Sequence, residues 1–204
     1  MKQLGFYLDV TKCTGCKTCA VACKDAHNLP EGVNFRKVIE YAGGSWRQDR
    51  MTGAWYQDVF AYYLSMGCNH CEKPACVAVC PTKAHYKRED NGLVVIDQEK
   101  CIGCGMCAKA CPYDAPQLHP ETKKMVKCDG CADRVAKGLQ PICVESCTQR
   151  ALHFGPIDEL RKKFGENAAI APLPNPEQTH PSLTLKAPNN AKPVGDQTGR
   201  IFTH

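Results

Sequence analysis

The chain has 204 residues, with 26 Lys and Arg against 21 Asp and Glu and a formal charge of +5. Its 16 cysteines would suit a small secreted disulfide scaffold, but the opening Met1-Lys-Gln-Leu-Gly-Phe-Tyr7 lacks the charged-then-apolar order of a secretory signal. No uninterrupted apolar run approaches the ~18 residues of a membrane span, and the lysines are spread among acids without the aromatic interleaving of a nucleic-acid surface. The expectation is a soluble or peripheral protein, folded in a reducing compartment, whose thiols bind metal.

In chain order, a short strand over Phe6–Asp9 leads into Cys13-Thr-Gly-Cys16-Lys-Thr-Cys19-Ala-Val-Ala-Cys23. This C-x2-C-x2-C-x3-C spacing is the bacterial ferredoxin run: three close thiolates wrap three corners of a cubane, and the fourth reaches a neighbouring cluster. Residues 24–67 are an insertion with strand-like segments at Val38–Tyr41 and Trp55–Leu64 around a Gly43-Gly44 break. Its aromatic residues are expected to shield a cluster from water, a docking surface being the alternative.

Residues 68–127 carry two further groups, Cys68-Asn-His-Cys71 with Cys76 and Cys80, and Cys101-Ile-Gly-Cys104-Gly-Met-Cys107 with Cys111. Between them, two short strand-like runs flank Asn91-Gly92, a strong local hairpin signal. The last group is Cys128-Asp-Gly-Cys131 followed at a distance by Cys143 and Cys147. Taken alone, that spacing also fits a zinc ribbon. Zinc has no use for the C-x2-C-x2-C half-repeat, however, and the 16 thiols divide into four sets of four.

Beyond the last group, Ala151–Phe154 reads as a strand and residues 156–165 as a short helix with proline first, acids early, bases late and a terminal glycine. Residues 166–204 hold Pro172, Pro174, Pro176, Pro181, Pro188 and Pro193 with little periodicity. Such a segment is expected either to be disordered or to lie extended on a partner.

An internal duplication orders these parts. Leu8–Cys23 overlays Ile96–Cys111 with nine of sixteen positions identical, Asp9/Asp97 and Lys12/Lys100 among them, and Lys73–Ala84 overlays Gln140–Ala151. The repeat makes residues 68–127 one continuous two-cluster unit. It also predicts that the strand at 151–154 pairs with the strand at 6–9, so that residues 1–23 and 128–165 close a second unit from distant segments. The fold class is therefore α+β: two pseudo-symmetric ferredoxin units with an insertion and an extended tail.

With three ligands from each run and one exchanged with its neighbour, the spacing assigns Cys13, Cys16 and Cys19 with Cys147 to a first cluster. Cys128, Cys131 and Cys143 take Cys23 in the second, Cys68, Cys71 and Cys76 take Cys111 in the third, and Cys101, Cys104 and Cys107 take Cys80 in the fourth. Each oxidised four-iron cluster with its thiolates carries a charge of about −2, which turns +5 into about −3. His70 replaces no cysteine and is read as a tuner of a cluster or as exposed. Gly15 and Gly103 serve tight loops. No nucleophile–base pairing, phosphate loop or nucleotide fingerprint accompanies the cysteines, so no catalytic residue is assigned.

With its cysteine groups in this order, the protein resembles the four-cluster ferredoxin subunits of molybdopterin oxidoreductases, and their sulfoxide reductase branch in particular. Phe60-Ala-Tyr-Tyr-Leu64, Lys127-Cys-Asp-Gly-Cys131, Pro141-Ile-Cys-Val-Glu-Ser-Cys147, Phe154–Lys163 and Ala171-Pro-Leu-Pro174 carry the likeness. Cys104 stands where several nitrate reductase relatives have tryptophan and a three-iron centre, and Thr148 departs from the proline usual in the sulfoxide branch. The resemblance implies a heterotrimer, in which a quinol-oxidising membrane anchor feeds this relay and a molybdopterin subunit reduces dimethyl sulfoxide. Related complexes serve thiosulfate, polysulfide, tetrathionate or formate. The resemblance further implies that the first cluster faces the catalytic subunit and the fourth the quinol end. It also implies export of the folded protein, by a partner's signal, to the periplasmic side of the inner membrane.

Overall fold

The computed structural model describes residues 2–203. Strand β1 (Leu4–Asp9) leads to helix α1 (Thr18–Ala26), and the insertion holds β2 (Lys37–Gly43), β3 (Trp46–Gln48), β4 (Trp55–Gln57) and β5 (Phe60–Met66). Next come α2 (Ala75–Ala78), β6 (His85–Lys87), β7 (Val94–Ile96), α3 (Met106–Ala110), β8 (Gln117–Leu118) and β9 (Met125–Val126). The chain closes with α4 (Ala132–Ala136), α5 (Ile142–Glu145), β10 (Leu152–Pro156), α6 (Ile157–Phe164), β11 (Leu183–Lys186) and β12 (Gly199–Phe202).

The long-range strand pairing expected from the repeat is present. β1 runs antiparallel to β10, with Phe6 opposite Phe154 and Leu8 opposite Leu152. Because strand side chains alternate in direction, β1 serves two layers. Phe6 and Leu8 enter the main core with Phe154, Leu152 and Leu64, while Tyr7 packs on Ile157 and Leu160 of α6. The helix starts one residue later than proposed, since Pro156 is its extended cap, and Gly165 ends it at φ 94°.

β6 and β7 form the hairpin of the continuous unit, His85 opposite Ile96 and Lys87 opposite Val94. Its loop is longer than a two-residue turn: Arg88 N–H donates to the Leu93 carbonyl, and Gly92, at φ 69°, lies on the returning side. The two units touch here, because Leu4 N–H donates to the Asn91 carbonyl and Gln3 Nε2 to the Gly92 carbonyl.

The structure differs from the sequence reading in the insertion and the tail. The stretch 55–64 is two strands. β5 buries Phe60, Tyr62 and Leu64 against β2, whereas β3 and β4 make a separate hairpin with Trp46, Trp55 and Tyr56 exposed. These three rings shield nothing within the molecule. Residues 166–204 are extended, but they lie on the protein's own body. β11 is the parallel third strand beside β1, β12 edges β2, and Ile170, Ala171, Leu173, Leu183 and Leu185 are buried. Prolines remove ladder donors, yet Leu183-Thr-Leu-Lys186 is proline-free and alternates well enough to complete a sheet offered by β1.

Candidate metal centres

Two geometric devices bring distant cysteines together. The first is the tight loop: Gly15 and Gly103 take φ 71° and 70°, a left-handed conformation that costs side-chain residues free energy. A Cβ at Gly15 would meet the Tyr63 ring at 2.5 Å, and one at Gly103 would run into the Lys123 carbonyl oxygen. Gly103→Ala is accordingly expected to cost about 1–3 kcal/mol and to lower iron content, measured by denaturant midpoint and metal analysis. Tyr63, and not the exposed Trp55 or Tyr56, is the aromatic residue laid over the first loop.

The second device is the short helix. Cys19 and Cys23 are four residues apart on α1, so they share a face. Cys76 on α2, Cys107 on α3 and Cys143 on α5 are likewise followed four residues later by Cys80, Cys111 and Cys147. α1 packs on α5, and α2 packs on α3. Each helical pair can thus present one thiol to each of two neighbouring clusters.

Cys13, Cys16, Cys19 and Cys147 line one cavity with Leu8 and Ser65. Cys80, Cys101, Cys104 and Cys107 line another with His85 and Met125. Cys23 is raised to about 12 by burial and then by Cys143 and Cys131, which places these thiols together. Cys76 is also raised to about 12 by burial, then by Cys68, with Cys111 and Cys71 adding to it. Cys128, fully buried, is raised by burial and next by Cys68 of the continuous unit, so the two units meet thiol to thiol.

The donor set fits iron–sulfur clusters. Sixteen free thiols converge in fours, and both ring nitrogens of buried His85 lack a protein partner while the ring lines the second cavity. Backbone donors also aim at ligand sulfurs: Met125 N–H at Cys101 (3.3 Å), Gly130 N–H at Cys128 (3.4 Å) and Ala151 N–H at Cys147 (3.3 Å). Such hydrogen bonds to sulfur favour the reduced cluster.

His70 is fully buried, which removes the exposed reading. Its Nδ1 accepts from Val94 N–H at 3.0 Å, so the neutral ring carries its proton on Nε2, 4.0 Å from Cys128 Sγ. A residue of the group-two loop thereby touches a group-four ligand. Burial first, then Lys127, lowers its pKa well below the ordinary histidine value. Thr148 places its hydroxyl 3.8 Å from Cys16 Sγ, alongside Thr18 at 3.4 Å, a contact that proline would lack. His27, Asp129 and Cys131 converge within 4.8 Å, but Cys131 belongs to the cysteine groups and these residues make no separate site.

Arg36 and Lys127 escaped the sequence reading. Both are buried cations, Arg36 among Cys143, Cys128, Cys19 and Cys23, and Lys127 beside Cys76 and Cys111. A basic residue in an irregular insertion gives no sequence signal of burial.

Paired cysteine-lined cavities, ligand-sharing helices and donors aimed at sulfur define an iron–sulfur protein of the ferredoxin type. Residues 59–157 match the 4Fe-4S dicluster domain and residues 11–28 a 4Fe-4S binding domain. Because the first span includes Cys128, Cys131, Cys143 and Cys147, the zinc-ribbon alternative falls. The sequence is 58% identical over 199 residues to the iron–sulfur subunit of anaerobic dimethyl sulfoxide reductase from Escherichia coli (strain K12), covering 98% of this protein and 96% of that one. It is 53% identical over 199 residues to the Haemophilus influenzae counterpart, with the same coverage. The iron–sulfur subunit of formate dehydrogenase-O from Escherichia coli (strain K12) is 34% identical over 174 residues, 82% of this protein and 58% of the relative. The protein belongs to the family of anaerobic dimethyl sulfoxide reductase iron–sulfur subunits.

Proposed function

We propose that the protein is a non-catalytic relay holding four [4Fe-4S] clusters. It passes electrons from a quinol-oxidising membrane anchor to a molybdopterin subunit that reduces dimethyl sulfoxide and related S- and N-oxides. The ligand sets are Cys13, Cys16, Cys19 and Cys147; Cys128, Cys131, Cys143 and Cys23; Cys68, Cys71, Cys76 and Cys111; and Cys101, Cys104, Cys107 and Cys80.

A gradient of exposure carries this reading. Cys16 in the first set and Cys104 in the fourth are exposed, whereas all of Cys23, Cys128, Cys131 and Cys143 are buried. A relay needs its ends near partners and its middle away from water. Each bound cluster supplies one-electron redox chemistry. The cysteines fix its position, the backbone donors stabilise added negative charge, and the buried surroundings exclude solvent. Cys16 would face the catalytic subunit and Cys104 the quinol end of a heterotrimer on the periplasmic side of the inner membrane. Among the described residues no helix is long and apolar enough to cross a membrane, which fits attachment through an anchor subunit.

The test is anaerobic purification with native partners, followed by oxidation of a reduced quinol analogue on adding dimethyl sulfoxide. Oxidation is expected. Turnover only with tetrathionate, thiosulfate, polysulfide or formate chemistry would keep the relay and replace the terminal substrate, and iron-free protein would remove the relay itself.

A further inference from the structure

Arg36 is 4% exposed, and among the described residues no carboxylate forms an ion pair with it. Its Nη1 donates to the Ser65 carbonyl at 2.9 Å and to Ser65 Oγ at 3.2 Å, and its guanidinium lies 4.9 Å from the centroid of the Phe6 ring. Ser65 Oγ in turn stands 3.1 Å from Cys19 Sγ. Gly67 leaves the space this needs, since a Cβ there would approach Arg36 Nη2 at 3.4 Å.

A buried charge without a counter-charge is strongly unfavourable, and arginine does not escape by losing its proton. Burial alone would lower its pKa, but Cys143, Cys128, Cys19 and Cys23 together raise it above the ordinary arginine value. One of these thiols belongs to the first ligand set and three to the second. The counter-charge is therefore spread over two neighbouring centres.

We propose that Arg36 is the shared counter-ion of the first and second clusters and holds the reduction potentials of both above those the cysteine cages alone would give. The proposal rests on the ligand sets proposed above. Reduction adds one negative charge to a centre, and a fixed cation beside it stabilises the reduced form more than the oxidised one. The Phe6 ring and the Ser65 carbonyl hold the guanidinium between α1 and the group-four loop. Because this one cation faces two centres, it also offsets repulsion between electrons held on both at once. Lys127 occupies a comparable place beside Cys76 and Cys111, so Arg36 should act on two of the four centres and spare the others.

Arg36→Gln and Arg36→Lys, made in the intact complex, would be compared with wild type by redox titration followed by electron paramagnetic resonance, with iron and sulfide measured alongside. For Arg36→Gln, the first and second clusters are expected to show about a tenfold lower ratio of reduced to oxidised form at fixed potential, equivalent to a downshift of ~59 mV for a one-electron couple. The other two should move little, and Arg36→Lys should keep most of the wild-type potentials. Unchanged potentials in fully loaded Arg36→Gln protein would overturn the proposal, as would an equal shift of all four clusters or a Lys variant matching Gln. If Arg36→Gln loses its iron, a loaded Lys variant with wild-type potentials supports the charge role. Loss of iron from both variants would assign Arg36 a structural role instead. Wild-type protein without iron or sulfide would refute the cluster reading and is distinct from all of these.

Discussion

Cys147→Ser is expected to destroy or convert the cluster of Cys13, Cys16 and Cys19 and to leave that of Cys128, Cys131 and Cys143 intact. Cys23→Ser should do the reverse. In sequence, Cys147 sits with group four and Cys23 with group one, so a reading by proximity alone predicts the opposite outcome in both cases. The fold supports the crossing: Cys147 lines the cavity of Cys13, Cys16 and Cys19, while Cys23 has Cys143 as its foremost thiol neighbour. The four-residue spacing on α1 and its counterpart at α5 separates the two thiols of each helix between two centres. Removal of one whole cluster would lower iron by about a quarter, given four four-iron centres. Electron paramagnetic resonance of the reduced variants, read with iron analysis, checks this. Loss of the group-four signal in Cys147→Ser with the group-one signal spared would show that the ligands are not exchanged.

Removal of iron and sulfide is expected to abolish cooperative folding, not merely to silence electron transfer. The interior built by side chains is concentrated in the sheets around Leu8, Leu64 and Leu185, whereas the continuous unit has only a small cluster of Ala84, Val94 and Met125 among cysteines. In that unit the metal centres replace a hydrophobic core, as in other small metalloproteins that are unfolded without their metal. Electrostatics acts in the same direction. Burial, then neighbouring thiols, pushes Cys23 and Cys76 up to about 12, so without metal these thiols are neutral at pH 7 and Arg36 loses its counter-charge. The apo protein would then carry a buried unpaired cation. Circular dichroism after anaerobic chelation should show loss of the folded signal and of a cooperative thermal transition, both restored by iron and sulfide. A chelated sample that still unfolded cooperatively near the holo midpoint would contradict this account.

Much of this architecture was legible in the sequence because metal chemistry constrains spacing tightly. Thiolates two residues apart with glycine between them have few other uses, and the repeat at Asp9/Asp97 and Lys12/Lys100 was sufficient to pair β1 with β10 across almost the whole molecule. The insertion and tail were less legible. Trp55 and Tyr56 have the same strand propensity as Tyr62 and Leu64, yet they lie exposed on a separate hairpin because Asp58 interrupts the run and accepts a 2.6 Å hydrogen bond from Ser45 N–H. The tail's prolines suggested a segment without a home, but a single proline-free run was enough for β11.

The sequence by itself determined the cofactor class, the two-unit repeat and the absence of an obvious catalytic constellation, because these depend on ligand type and spacing, which are local. Only the tertiary structure decided that the tail closes the sheet of its own protein, that His70 reaches Cys128, and that Arg36 lies buried between two sets of thiols. Those facts depend on which distant surfaces meet. A residue's charge carries no record of whether water or protein will surround it until the fold has brought Ser65, Phe6 and the cysteines of α1 to the same place.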